Sequence, residues 1–351
     1  MEIRLYDPNM DFLGVTENQT SLLWTRRYFE PGEFELHAPV TPYNVGLLKL
    51  NNLVWMRGAA EAGVIEDVKT EQNNIKNEIT VKGRFLESYM DRRLIRPTLN
   101  YSGLTEVAMR TILSNIQVPI PKVQLGELNG YDETITFQAT YKNLMEYETK
   151  LAKSALFGYR FRPDFTNKTI TFEIYKGIDH SRSQTDRNWV EFSESYKNVS
   201  SASSQENSQL YKNVCYVGGQ GEGSERVWVT VGDDTLVGLD RREVYRNASD
   251  VSRDDVSYAT YVEELRQRGY QELEEDSIAY SFETTTTPRG NFNYKENYDL
   301  GDIVTIKKEN WGLSVDLRLS AITEVYEHGT ATIQPTFGSP LPETIDWEDK
   351  V

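Results

Sequence analysis

One cysteine, three histidines, a shortage of positive charge and no long apolar run narrow what this 351-residue chain can do. Cys215 stands alone, which excludes an intramolecular disulfide. It lies in Asn213-Val214-Cys215-Tyr216-Val217, an apolar strand pattern in which a thiol reads as a small buried hydrophobe. His37, His180 and His328 are far apart, and none belongs to a His-x-x-x-His pair or a Cys/His cluster with metal-ligand spacing. Each reads as a strand or turn residue. Asp and Glu number 54 against 38 Lys and Arg, a formal net charge of -16, which argues against a basic groove that grips phosphates. No segment approaches the roughly 18–20 apolar residues of a membrane helix. Met1-Glu2-Ile3-Arg4-Leu5-Tyr6 reads directly as a strand with no leader before it, so the expected product is a soluble protein made in the cytoplasm.

The remaining traces of chemistry are weak. Gly177-Ile178-Asp179-His180-Ser181 gathers Asp, His and Ser, but neighbours in sequence point in different directions, and triads are assembled from distant parts of a fold. Gly218-Gly219-Gln220-Gly221-Glu222-Gly223 lacks the Gly-Lys-Ser/Thr ending of a phosphate loop and leads into a strand, so it reads as a hairpin loop. Asp233-Asp234 and Asp254-Asp255 read as solvated loop pairs rather than cation ligands. Two carboxylates could serve a glycosidase, yet nothing selects a pair from 54 acids. No catalytic, cofactor-binding or metal-binding residue is assigned, no cofactor is expected, and the chain reads as a non-enzyme.

What is present is β pattern. Residues 1–90 alternate as strands around turns such as Asp7-Pro8-Asn9 and Pro31-Gly32. Between 91 and 190 the pattern becomes α+β. One helix is expected after Ser102, with Leu104, Val107, Ala108 and Ile112 on one face; a second places Leu144, Tyr147, Leu151 and Ala155 together. A hairpin, Tyr159–Arg162 with Thr169–Tyr175, follows. Strands resume over 191–248, with Ser200–Ser208 read as an exposed loop. A third helix carries Tyr258, Tyr261, Val262 and Leu265 in the stretch 249–276, where Asp250–Asp276 holds nine acidic and three basic residues; its apolar stripe is expected to pack on its own sheet. Strands return over 277–338, and 339–351 is a tail.

The two β regions echo one another. Val64-Ile65-Glu66-Asp67-Val68 and Ala321-Ile322-Thr323-Glu324-Val325 each stand in the middle of a three-strand meander, though their loops differ in length. The expected fold class is therefore mainly β: two small β-barrel-like domains (1–90; 191–248 with 277–338), an inserted α+β domain (91–190) and an inserted acidic helical segment (249–276).

Several phrases carry a family resemblance: Trp24-Thr25-Arg26-Arg27-Tyr28 with Pro31-Gly32-Glu33-Phe34-Glu35-Leu36, Gly63-Val64-Ile65-Glu66-Asp67, Val81-Lys82-Gly83-Arg84, Phe192-Ser193-Glu194-Ser195-Tyr196-Lys197-Asn198, Tyr211-Lys212-Asn213, Gly238-Leu239-Asp240-Arg241-Arg242-Glu243 and Asp299-Leu300-Gly301-Asp302-Ile303-Val304. In this order they resemble a family of siphophage and prophage tail-tip proteins, similar to phage baseplate hubs and to the N-terminal hub of tail-associated lysins. The resemblance implies a virion structural protein: a homotrimeric ring at the tail tip, in contact with other tail proteins (distal tail ring, tape measure, tail fibre or adhesin). DNA would pass its channel without specific binding, and no catalytic residues would lie in this region. Excess acid is then expected on solvent or on the channel wall. A carbohydrate- or receptor-binding tail module and a cell-wall hydrolase are the alternatives. The first predicts glycan binding, the second peptidoglycan degradation that one carboxylate substitution abolishes.

Overall fold

The computed structural model describes residues 1–338 except 17, 73–76, 255, 287–290 and 328. His328, Asp255 and the tail 339–351 therefore lie outside the described residues. The chain is mostly β, with 43% of residues in strands and 19% in helices. The first region holds β1 (Ile3–Tyr6), β2 (Phe12–Val15), β3 (Ser21–Arg27), β4 (Glu33–Pro39), the short helix α1 (Pro42–Leu47), β5 (Leu53–Met56), β6 (Gly63–Val64), β7 (Asp67–Gln72) and β8 (Asn77–Arg84). The sheet β2-β1-β5-β6 closes against the β3-β4-β8-β7 part of a larger sheet. Alternation does the rest: Leu22, Trp24, Phe34, Leu36, Ile79 and Val81 point into one core with Leu5, Val54 and Phe85. Each such side chain, fully buried, stabilises by roughly 1.5–3 kcal/mol.

The first insertion contains β9 (Leu99–Leu104), α2 (Thr105–Asn115), β10 (Val123–Leu125), β11 (Thr134–Ala139), α3 (Leu144–Ala155), β12 (Gly158–Asp164) and β13 (Thr169–Tyr175). Its core is not separate. Leu144, Tyr147, Leu151, Phe161 and Phe172 join Tyr6, Leu53, Leu86 and Met90 in one cluster, and Phe165 stacks on Tyr6 with ring centres 3.7 Å apart. The helix expected after Ser102 starts at Thr105 instead, because Ser102 stays in β9 and its hydroxyl bonds Thr136 on β11.

The second region supplies β14 (Glu191–Ser193), β15 (Val199–Asn207), β16 (Val214–Gly218), β17 (Trp228–Gly232), β18 (Glu243–Asn247), α4 (Tyr258–Glu275), β19 (Ala279–Thr286), β20 (Ile303–Lys308), β21 (Leu313–Glu327) and β22 (Thr330–Gly338). Ser200–Ser208, expected as a loop, is largely strand β15, pairing with β19 from Val199↔Thr286 to Asn207↔Ala279. Its backbone meets the ladder while most of its side chains stay exposed, so serine costs little there. The strands Val214–Asn247 differ too. Among the described residues β16, β17 and β18 pair only with one another, and α4 covers them through Cys215, Val217, Val231, Tyr261 and Leu265. Tyr261, Val262 and Leu265 of the third helix thus face their own sheet, as expected, while Tyr258 is exposed, and that sheet is a lobe outside the second barrel.

β21 joins the halves. Its first part pairs with β20, from Lys308↔Leu313 to Ile303↔Arg318. Past a register slip at Leu319/Ala321 it pairs with β22 on one side and β3 on the other, from Ala321↔Arg27 to Glu327↔Ser21. One ten-stranded sheet, along the path β15-β19-β22-β21-β3-β4-β8-β7 with β14 and β20 attached, therefore runs through both barrels. The echo reappears as wiring: β6 pairs with β5 and β7 with β8, as the two parts of β21 pair with β20 and β22. Gly83 marks the bend in the first half, where a Cβ would stand 1.8 Å from the Val64 carbonyl oxygen. Phe192, Phe282, Val304, Ile306, Leu319, Ile322 and Phe337 fill the second core.

Candidate assembly surface

The residues that could have carried chemistry are occupied otherwise. His37 bridges Glu35 (2.8 Å) and Glu78 (3.0 Å) on the outer side of β4. His180 contacts the Asn188 carbonyl at 2.8 Å and lies 3.8 Å from Asp302, while Asp179 accepts the amide of buried Ser181; no relay joins the three sequence neighbours. In the glycine-rich loop the amide of Gly219 donates to Val227 and that of Gln220 to the Tyr261 hydroxyl, so these donors are spent within the protein. Asp233 accepts from Thr235, and Asp234 pairs with Arg241. Cys215 is buried, and burial together with nearby Glu272 pushes its thiol up to about 11. Among the described residues no group of three His, Cys, Asp or Glu could hold a metal ion.

Two of the quoted phrases meet at the seam between the barrels. Arg26 lies opposite Ile322 on the β3–β21 ladder, and the residue is 4% exposed. Nε donates to both Glu61 oxygens (3.0 and 3.1 Å), Nη2 to Glu61 Oε1 (2.8 Å), and Nη1 to the Tyr294 hydroxyl (2.6 Å) and Asp299 Oδ1 (2.8 Å). Tyr28 accepts the Gly177 amide at 3.0 Å, and its hydroxyl lies 3.0 Å from the Leu156 carbonyl. Gly301, at φ +95°, passes beneath that ring; a Cβ there would come within 2.1 Å of it. Asp302 accepts the amides of Ile178 and Asp299. One arginine and one tyrosine thereby fix both barrels and the first insertion to each other.

The face of the large sheet turned away from both cores is polar. Along the rungs it shows Gln334, Thr323, Thr25, Glu33 and Arg84, then Thr332, Val325, Leu23, Glu35 and Lys82. Its cations are tied up: Arg27 to Glu33 (2.7 Å), Lys82 to Glu35 (2.8 Å), Arg84 to Glu66 (2.8 Å) and Lys69 to Glu71 (2.7 Å). Among the described residues the main path of the sheet ends in two free edges, β15 and β7, and the short β14 ends the branch through β20. They are related by the internal echo. The order β15-β19-β22-β21 repeats β3-β4-β8-β7, and the inner junction β21–β3 joins the last strand of one set to the first strand of the other. The edges themselves are rich in Ser, Asn, Gln, Lys and Glu. No periodicity in the sequence distinguishes such strands from loops.

A family model described as "Siphovirus ReqiPepy6 Gp37-like protein" matches residues 2–339. No curated protein matches the sequence. Among solved structures, the 43 kDa tail protein of prophage MuSo2 from Shewanella oneidensis is 15% identical with TM-score 0.58, covering 96% of this chain and 98% of that one. The tail protein from Neisseria meningitidis MC58 is 13% identical with TM-score 0.57, covering 96% of each chain. Prophage tail protein gp18 from Listeria monocytogenes EGD-e is 14% identical with TM-score 0.56, covering 97% and 95%. At these identities the likeness is one of fold.

Proposed function

The chain belongs to the Siphovirus ReqiPepy6 Gp37-like protein family, and from that premise we propose that it is a non-enzymatic building block of a phage or prophage tail tip. In this reading three copies close a ring around the tail channel, in contact with neighbouring tail proteins. The observation that carries it is the pair of complementary free edges. If the second half of the chain copies the first, β7 of one subunit stands to β15 of the next as β21 stands to β3 within a subunit. Pairing them extends the sheet from subunit to subunit and leaves neither end of its main path unpaired, the condition a closed head-to-tail ring satisfies. The polar outer sheet face then lines the channel. Its cations already hold carboxylates, so they have no free charge with which to grip DNA phosphates, and the genome slides past. On this reading most of the acid excess lies on the outer surface and not on the channel wall.

The test is a pair of proline substitutions. Adjacent amides of an edge strand point alternately toward its partner and away, so one of Ser203→Pro and Ser204→Pro deletes a donor only from the free side of β15. That variant should keep the far-ultraviolet circular dichroism of the parent and lose the trimer in native mass spectrometry; the other should also weaken β15–β19. Wild-type protein that stays monomeric at high concentration, or an outward-facing proline that leaves a trimer intact, would sink the ring.

A further inference from the structure

We propose that the open face of the β16–β18 lobe is a binding site for neutral saccharide, independent of the ring surfaces. α4 covers one face of this three-stranded sheet; the other is open along its outer strands, at Trp228, Thr230, Tyr245 and Asn247, while Val214 on its central strand is buried. Pairing sets the open face in rows: Trp228–Gly218–Asn247, then Thr230–Tyr216–Tyr245, then Gly232–Val214–Glu243. Trp228 and Tyr245, on the two outer strands and one row apart, stand 55% and 50% exposed with ring centres 6.0 Å apart. A side chain at Gly218 would collide with Arg226, which lies over that glycine as the floor between the rings.

Arg226 makes the two aromatics a fixed platform. Its guanidinium sits 5.1 Å from the Trp228 ring centre and 5.8 Å from that of Tyr245, and it donates to Asn247 (2.7 Å) and to the Gly218 and Gly219 carbonyls (3.0 Å each). The rings are therefore held in place before any ligand arrives, which lowers the ordering cost of binding. A second arginine organises the far end. Arg241 joins the Tyr216 hydroxyl, Asp234 and Glu243, and Tyr216 donates to Glu243 at 3.0 Å.

Size and charge select the ligand. Three strands and three rows make a face about 10 Å by 13 Å, far short of the ~800 Å² per partner that a stable protein interface buries. Two arginines balance two carboxylates across it, so the face is formally neutral on a chain of net charge -16. Donors and acceptors (Asn247, Thr230, Glu243, Asp234) surround two aromatic rings whose faces are electron-rich. A sugar with equatorial substituents offers the complement: a flat, weakly positive C–H face for the rings and a fringe of hydroxyls for the rim. Arg241 holds both carboxylates, and Arg226 is spent beneath the rings on Asn247 and two carbonyls, so neither is presented as a row of cations for an anionic polymer.

The decisive experiment titrates full-length protein with chitotetraose and cellotetraose, following tryptophan fluorescence and calorimetric heat, with tetragalacturonate as the charged comparison. Saturable binding of a neutral tetrasaccharide is expected, weakened roughly tenfold or more in Trp228→Ala and in Tyr245→Ala, as loss of an anchoring aromatic does. Tyr258→Ala, exposed on the opposite side of the lobe, should bind as wild type. Binding by neither neutral sugar, binding unchanged in Trp228→Ala, or preference for tetragalacturonate each overturns the proposal. So does a Trp228→Ala protein that binds no less sugar but fails to assemble with co-expressed tail proteins, which would make the face a protein contact. Native mass spectrometry of the same variants keeps this test apart from the ring, since both should still trimerise.

Discussion

Arg26→Met is expected to destabilise the protein by about 3–5 kcal/mol, the cost of leaving a buried charge without its partner. Glu61 is 4% exposed, and two nitrogens of Arg26 hold its carboxylate on the barrel seam. Removing the arginine leaves that carboxylate facing the seam, and it frees the Tyr294 hydroxyl and Asp299 besides. Changing both partners behaves differently, because a well-packed apolar pair needs no compensating charge. Arg26→Met/Glu61→Met should recover most of the loss, and Glu61→Met alone should also be costly, since it strands the arginine. Urea denaturation of the three variants measures this directly. A single Arg26→Met that stays within about 1 kcal/mol of wild type would mean that the seam is held by the β3–β21 ladder alone.

Raising the pH from 5 to 8 should lower stability, and Glu87→Gln and Glu148→Gln should each flatten that fall. Both carboxyls are buried within the core shared by the first barrel and its insertion. Among the described residues, Glu87 accepts the Phe161 amide through one oxygen and has no partner for the other, and neither oxygen of Glu148 has a partner. Burial raises Glu87 to about 8 and holds Glu148 well above the usual carboxylate range. Glu87 is thus protonated in the folded protein near neutrality, Glu148 holds its proton to higher pH than a free carboxyl, and both are ionised in the unfolded chain. A raised carboxyl favours folding fully only below its unfolded value near 4.5. As pH climbs from there toward the folded value, the unfolded chain releases the proton and the native state does not. For Glu87 the loss is at most about 1.4 kcal/mol per pH unit, and over the whole window roughly 2–4 kcal/mol; Glu148 adds to it in the same sense. Glu35, Glu66 and Asp250, lowered by ion pairs, act in the opposite sense and lose their contribution only at acid pH. Maximal stability is therefore expected near about pH 5. Melting temperatures across this range check the sign; a Glu148→Gln protein whose stability follows pH as steeply as wild type would show that Glu148 ionises freely in the native state.

The contrast between these two sites explains what could be read in advance. Leu144, Tyr147, Leu151 and Ala155 recur at helical spacing, and all four are buried; a stripe of that kind is local and visible in the sequence. Leu22, Trp24, Phe34 and Leu36 alternate and fill a core for the same reason. The two-barrel plan was visible through its echo, and the family through its phrases. Partners in a sheet were not. Nothing in Ser21–Arg27 indicates that it pairs with Ala321–Glu327, and a serine run gives no apolar signal for an edge strand. In sequence the strands of the β16–β18 lobe look like any others of the second barrel; only their pairing sets them apart. Arg26 appeared only as a letter in a phrase, because burial of a charge depends on Glu61 and Asp299, which come from other parts of the chain.

The β3–β21 ladder also sets a timetable for synthesis. At roughly 5–20 residues per second, the ribosome emits Ser21–Arg27 many seconds before Ala321–Glu327 follows. Throughout that interval β3 can pair with β4, while its other side, a row of open amides and carbonyls beside Trp24 and Leu22, waits for a strand not yet made. Closure joins segments about as far apart as the chain allows, so it comes late and slowly. In a cell making many copies at once, the nearest available strand is often β21 of another nascent chain. Accepting it would yield a domain-swapped chain rather than a folded subunit, so the strand that unites the barrels is also where premature crowding does the most damage.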